Sequence, residues 1–170
     1  RCGEILKKIS QKQIVEDKFL NAIKLEDLLT EIIRSFLETS NKEIYVRTSK
    51  DHNKINIKRT PELVYGLRNF IGNAVKFSYK KVELKIDSNE TEVSIKIQDD
   101  GPGFPDDILE FIGEPYIKSK TTSNKSGLGL GTFLGKTLLE REGARLSFSN
   151  ITQGAEVQIS WPIKNLIFNS

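Results

Sequence analysis

The chain has 170 residues, 37% hydrophobic and 29% charged, with a formal net charge of +3, which fits one globular domain with a short extra piece at one end. Lys and Arg are spread along the whole length, so neither a nucleic-acid-binding stripe nor a polybasic membrane anchor is expected, and no apolar run approaches the roughly 18 residues that span a bilayer. One Cys makes neither an internal disulfide nor a Cys-based zinc site, and no signal peptide is visible, so a reducing, cytoplasmic setting is expected.

The chain opens at Arg1 and contains no Met, so a piece of a longer protein is expected. Ile5, Leu6, Ile9 and Ile14 have helical spacing but make a face too short to bury alone; residues 1–22 read as the end of a helix that packs on an absent partner, plus a linker. Residues 25–39 form a stronger amphipathic helix, with Leu25, Leu28, Leu29, Ile32, Ile33, Phe36 and Leu37 on its stripe and Glu26 and Asp27 in its first turn. Residues 43–48 and 54–58 alternate and read as a hairpin turning through Lys50, Asp51, His52 and Asn53. Thr60 and Pro61 open a helix as N-cap and first residue, running to about Ser78.

Residues 81–87 and 92–98 alternate as two strands joined by 88–91; a Gly/Pro-rich segment and a long polar loop fill 99–130; a helix covers about 132–142. Strands at 145–149 and 156–161 close the chain with Gly154 in the turn, and 166–170 reads as a tail. Hairpins between helices predict a two-layer α/β sandwich, a mixed and mostly antiparallel sheet covered by helices on one face. Strict βαβ alternation is missing, which argues against a doubly wound sheet.

Three segments carry candidate chemistry. On the helix from 61, Asn69, Asn73 and Lys76 lie at i, i+4 and i+7 and project together. An Asn carbonyl is a hard, neutral ligand for Mg2+, and a Lys neutralises phosphate; a solvated polar face fits the same three residues. Asp99-Asp100-Gly101-Pro102-Gly103-Phe104 follows a strand directly. Its glycines permit a sharp turn and close approach to a flat ligand, and a carboxylate there can accept from the exocyclic amine of adenine, where guanine presents an acceptor at the equivalent position; a plain tight turn is the other reading.

Gly127-Leu128-Gly129-Leu130-Gly131 leads into Thr132 and a helix, offering backbone N–H groups to phosphates or, more simply, a hinge. Gly135-Lys136-Thr137 imitates the end of a P-loop, but the first glycine of that motif would fall on Leu130.

The combination in this order resembles the GHKL ATP-binding superfamily with its Bergerat fold, over about residues 25–163. In the hydrolysing branches of that superfamily a Glu usually stands where this chain has Asn69, and an amide cannot serve as the general base for water. The resemblance therefore implies the histidine-kinase branch. It implies Asn73 on Mg2+, Asn69 and Lys76 on the phosphates, and Asp99 on adenine in a pocket shaped by Gly101, Gly103 and Phe104. Gly127, Leu128, Gly129, Leu130, Gly131 and Thr132 would bring a lid onto ATP. The catalytic domain implied is 23–165, with 1–22 the end of a dimerisation helix.

Gly113-Glu114-Pro115-Tyr116, the run from Gly129 to Arg141 and the opening Arg1-Cys2-Gly3-Glu4-Ile5-Leu6 are further similar to the RegB/PrrB type of redox-responsive sensor kinases. This adds Tyr116 to the pocket and makes Cys2 a redox candidate, beside the simpler reading of an inert terminal thiol; Gly3 departs from that type's usual basic residue.

The lid, 118–126, holds Lys118, Lys120 and Lys125 among Ser and Thr; it has little to bury, and phosphate contact is expected to order it. His52, the single His, lies in a predicted turn and is expected to be an exposed bystander, the phosphoacceptor lying upstream. The implied partners are a response regulator and the protein's own dimerisation domain in a homodimer, with a parent anchored in the bacterial inner membrane. A serine kinase or anti-sigma-type regulator of the same fold, and a nucleotide-sensing module without transfer, are the competing readings.

Overall fold

The computed structural model describes residues 22–49, 55–114 and 130–167. The expected helix at 5–14, the turn at 50–53 with His52, the lid, and Cys2, Tyr116, Lys120, Gly127, Leu128 and Gly129 lie outside them.

In chain order the elements are β1 (Ala22–Lys24), α1 (Leu25–Leu37), β2 (Glu43–Thr48), β3 (Asn56–Lys58), α2 (Pro61–Phe77), β4 (Lys81–Ser88) and β5 (Glu92–Asp99). A 3-10 turn (Leu109–Phe111), α3 (Leu130–Arg141), β6 (Arg145–Asn150), β7 (Ala155–Pro162) and α4 (Ile163–Leu166) follow. The main sheet has five strands in the order β2-β4-β5-β7-β6, with β2 and β4 parallel and every other pair antiparallel.

Alternation explains the layering. Val82, Leu84 and Ile86 of β4, Val93, Ile95 and Ile97 of β5, and Val157, Ile159 and Trp161 of β7 are buried in one cluster with Leu28, Leu29 and Ile32 of α1, Leu67 and Phe70 of α2 and Leu139 of α3. The residues between them carry the opposite face: Lys85 pairs with Lys96, and Lys96 with Gln158. The helices thus cover one face, as the sequence predicts.

The N-terminus of α2 forms as read. The Thr60 hydroxyl accepts from Leu63 N–H at 3.2 Å, Pro61 takes the first helical position, and Thr60 Oγ1 also donates to Glu142 Oε1 at 2.9 Å. The β4–β5 turn is tied by Asn89, whose Oδ1 accepts from Thr91 N at 2.9 Å and Glu92 N at 2.8 Å.

Two expectations are corrected. Residues 43–48 and 56–58 do not form a hairpin. β2 lies parallel to β4, Ile44 opposite Val82 and Val46 opposite Leu84, while β3 pairs antiparallel with β1 in a separate two-stranded sheet, Ile23 opposite Ile57. The alternation of β2 makes one apolar face but does not choose a neighbour, and burying Ile44 and Val46 against the covered face of β4 satisfies it. α3 includes Leu130 and Gly131, so these two residues belong to the helix and do not precede it.

At the end of the described chain Leu166 is buried in the core and Ile167 bridges to Ile57.

Candidate nucleotide site

The site is a cavity of about 380 Å³ between the N-terminal turn of α3, the second half of α2 and the loop after β5. Its walls are mainly apolar: Phe70, Ala74 and Phe77 from α2, Ile97 from β5, and Phe148 and Val157 from β6 and β7. Phe148 packs its ring 5.9 Å from that of Phe70 and edge-on to Phe104 at 6.1 Å. Among the described residues, the polar side chains on the wall are Asn73, Asp99 and Thr132. A cavity of this size with few, convergent polar groups suits a flat heteroaromatic ligand.

Asp99 closes β5 and is 9% exposed. Its Oδ1 accepts from Gly101 N at 2.9 Å and Ala155 N at 3.4 Å. Both backbone donors fall on Oδ1, so Oδ2 is the oxygen left to serve the cavity. Burial pushes the carboxyl above the ordinary Asp range, against the downward pull of those two amides and of the Lys42 charge. Lys42 is held nearby by the carbonyl and hydroxyl of Ser78.

The neighbouring acid behaves oppositely. Burial also raises Asp100, but backbone N–H groups of Lys80, Lys81 and Tyr79 outweigh it and hold this carboxyl low. Asp100 Oδ1 accepts from Tyr79 N at 2.8 Å and Lys80 N at 3.0 Å, fastening the loop to the end of α2. Of the two adjacent carboxylates, one serves the fold and one the cavity.

The loop between them and Phe104 depends on glycine at two places. A Cβ on Gly101 would stand 2.2 Å from the Phe77 carbonyl oxygen, so the missing side chain lets the loop close on the end of α2. Gly103 has φ +83, a conformation that glycine adopts without penalty. Asn150, at the end of β6, then clamps the loop: its Oδ1 accepts from Phe104 N at 2.7 Å and its Nδ2 donates to Phe104 O at 2.9 Å. Asn150 was not anticipated, nor was Lys42. Nothing in the local sequence of either marks it, because each acts across the fold. Phe148 and Val157 were accessible from strand alternation.

On α2 the row at i, i+4 and i+7 separates. Asn73 lines the cavity, with Nδ2 3.2 Å from Thr132 Oγ1 and 3.5 Å from Asn69 Oδ1. Asn69 stands behind it, against Gly131 and Gly135 of α3. Lys76 is exposed, with Nζ 5.4 Å from the centroid of the Phe77 ring. Gly103, Phe104 and Thr132 line the cavity with Asn73 and Asp99. Leu130 is 56% exposed and does not.

Among the described residues no three His, Cys, Asp or Glu gather into a metal site. The donor set here is a neutral amide, which fits Mg2+ arriving with phosphate and water ligands of its own and does not fit a protein-caged metal.

Residues 59–165 match the family model of histidine kinase-, DNA gyrase B- and HSP90-like ATPases. The chain is 31% identical to the sensor histidine kinase RegB of Cereibacter sphaeroides over 98% of this chain, and spans 41% of that relative's length. Among solved structures, the catalytic domain of histidine kinase ThkA superposes with a TM-score of 0.70 at 22% identity, covering 85% of this chain and 97% of that one. ThkA in complex with the response regulator TrrA gives 0.68 at 19%, over 95% and 50%. Full-length ShkA in complex with AMPPNP gives 0.70 at 24%, over 88% and 31%. The chain belongs to the family of histidine kinase-, DNA gyrase B- and HSP90-like ATPases.

Proposed function

We propose that this domain binds Mg-ATP in the cavity between α2, α3 and the loop after β5, and delivers the γ-phosphoryl group to a histidine on a dimerisation helix of the whole protein. The observation that carries this reading is one apolar cavity lined by both Asp99 and Asn73, an acceptor for the purine amine and an amide for the metal–phosphate group. The apolar walls hold the adenine ring. Asp99 Oδ2 accepts from its exocyclic amine. Asn73 serves Mg2+, and Asn69 and Lys76 support the phosphates.

Bound Mg2+ supplies charge neutralisation at the triphosphate. The chain's own contribution is positioning. Asn69 is an amide and cannot take a proton from water, which favours transfer to an outside nucleophile over hydrolysis. The structure of ThkA with a response regulator supports a response regulator as the downstream partner here too. We place homodimerisation, and the membrane anchoring of the parent, in the remainder of the protein; no described helix is long and apolar enough to cross a membrane.

Calorimetric titration of the domain with ATP and GTP, each with and without Mg2+, tests the reading. ATP is expected to bind more tightly with Mg2+, and GTP to bind at least about tenfold more weakly than ATP, because its ring presents an acceptor to Asp99. No adenine-nucleotide binding at millimolar concentration would refute it.

A further inference from the structure

α2 and α3 meet in one antiparallel register. Gly66 faces Leu139, Asn69 faces Gly135 and Gly131, and Asn73 faces Thr132. A Cβ on Gly66 would stand 2.5 Å from Leu139 Cγ, one on Gly135 3.2 Å from Asn69 Cβ, and one on Gly131 3.1 Å from Asn69 Nδ2. The missing side chains let α3 close on the polar row of α2. Thr132 is thereby 1% exposed yet on the cavity wall, with its hydroxyl 3.2 Å from Asn73 Nδ2.

The two ends of a primary amide are nearly identical in shape and opposite in function: the nitrogen only donates, the oxygen only accepts. A cation needs the oxygen. Which end meets it is decided by what the other end is bonded to. Here the nitrogen of Asn73 is engaged by two acceptors, Thr132 Oγ1 and, at 3.5 Å, Asn69 Oδ1. A residue of the same shape without a hydroxyl at position 132 would leave only the longer contact to Asn69 on that nitrogen, too weak to stop the amide turning its NH2 toward the metal.

We propose that Thr132 is a positioning residue for the Asn73–metal contact: its hydroxyl holds the Asn73 nitrogen against α3 and so presents Oδ1 to the Mg–phosphate group. This rests on the Mg-ATP reading above and adds the element that makes one amide of the row metal-competent. Groups in the outer shell of a metal ligand commonly set its orientation in this way.

The test compares Thr132→Val, which keeps the shape and removes the hydroxyl, with Thr132→Ser, which keeps the hydroxyl. The readout is the ratio of ATP dissociation constants without and with Mg2+, by calorimetry. Thr132→Val is expected to shrink this ratio by about 3- to 10-fold, the worth of one ordinary hydrogen bond, and Thr132→Ser to restore it. A direct contact of Thr132 with nucleotide would move both constants and leave the ratio alone, and that outcome overturns the proposal. So does a Val variant with the full wild-type ratio, or a Ser variant that loses as much as Val, which assigns the effect to methyl packing. If the wild type itself binds ATP without any magnesium dependence, the metal reading fails first, and with it this role. Thermal unfolding of both variants, at the wild-type temperature, establishes that the comparison is between folded proteins.

Discussion

Asp99→Asn is expected to cost adenine recognition while leaving the unliganded fold as stable as before, or firmer. In the variant Oδ1 still accepts from Gly101 and Ala155 N–H, so the loop keeps its backbone ties. The atom facing the cavity becomes an NH2, a donor set against the donor of adenine. The lost bond and the mismatch weaken ATP binding on the order of 1–3 kcal/mol.

The sign for stability is opposite. Burial raises the Asp99 carboxyl in the folded protein. Such a group contributes stability that is fully present below the unfolded Asp pKa and is lost as pH rises through the folded value. At neutral pH the wild type therefore carries a buried charge that the variant does not. Urea midpoints are expected to be equal or higher for Asp99→Asn at pH 7, with the advantage vanishing in acid. Wild-type ATP affinity, which needs the carboxylate, should start to fall with acidification at a pH above the ordinary Asp range. A variant destabilised at pH 7, or one that binds ATP as the wild type does, would contradict the assignment.

The second large effect is on the fold itself. Gly154 has φ +109, and a Cβ there would lie 1.7 Å from the Asp99 carbonyl oxygen and 3.1 Å from Asp100 Cα. The turn it makes, with Ile151 N–H donating to its carbonyl at 3.1 Å, lays the start of β7 directly on the end of β5. Gly154→Ala adds a strained dihedral to a backbone overlap that no rotamer relieves. Strain of this kind costs about 1–3 kcal/mol by itself, and with the overlap we expect a loss of about 3 kcal/mol or more. In a domain of this size that lowers the melting temperature by roughly 10 °C. ATP binding should weaken in parallel, since Ala155 N–H is one of the ties that aim Asp99. A melting temperature within a degree or two of wild type would refute this account of the turn.

Much of this fold is legible in the residues, and the parts that are not share a cause. β4, β5 and β7 alternate over eight residues each, long enough to fix both period and buried face. Thr60-Pro61 announces a helix start by local chemistry alone. β1 spans three residues that run into a helix, too few to show a period. The partner of β2 is a non-local choice: its alternation says which face is buried and is silent on which strand lies alongside.

The site divides in the same way. Asn73 and Asp99 stand out because an amide row and a carboxylate before glycines have chemical meaning in sequence order. Asn150 and Lys42 do not, because each acts on a segment far away in the chain: Asn150 on Phe104, Lys42 on Ser78 and the field at Asp99. Gly154 is legible as a turn glycine. That it also yields space to Asp99 is known only once β5 and β7 are neighbours.

The parallel edge pair has a kinetic consequence. β4 and β5 are joined by residues 89–91 and zip from their turn, whereas β2 must wait for β3 and all of α2 to be laid across the sheet before Glu43 can meet Lys81. Closing so large a loop is entropically late work. In a pulsed hydrogen-exchange refolding experiment the amides of β4 and β5 should be protected before those of β2, and simultaneous protection would contradict that order.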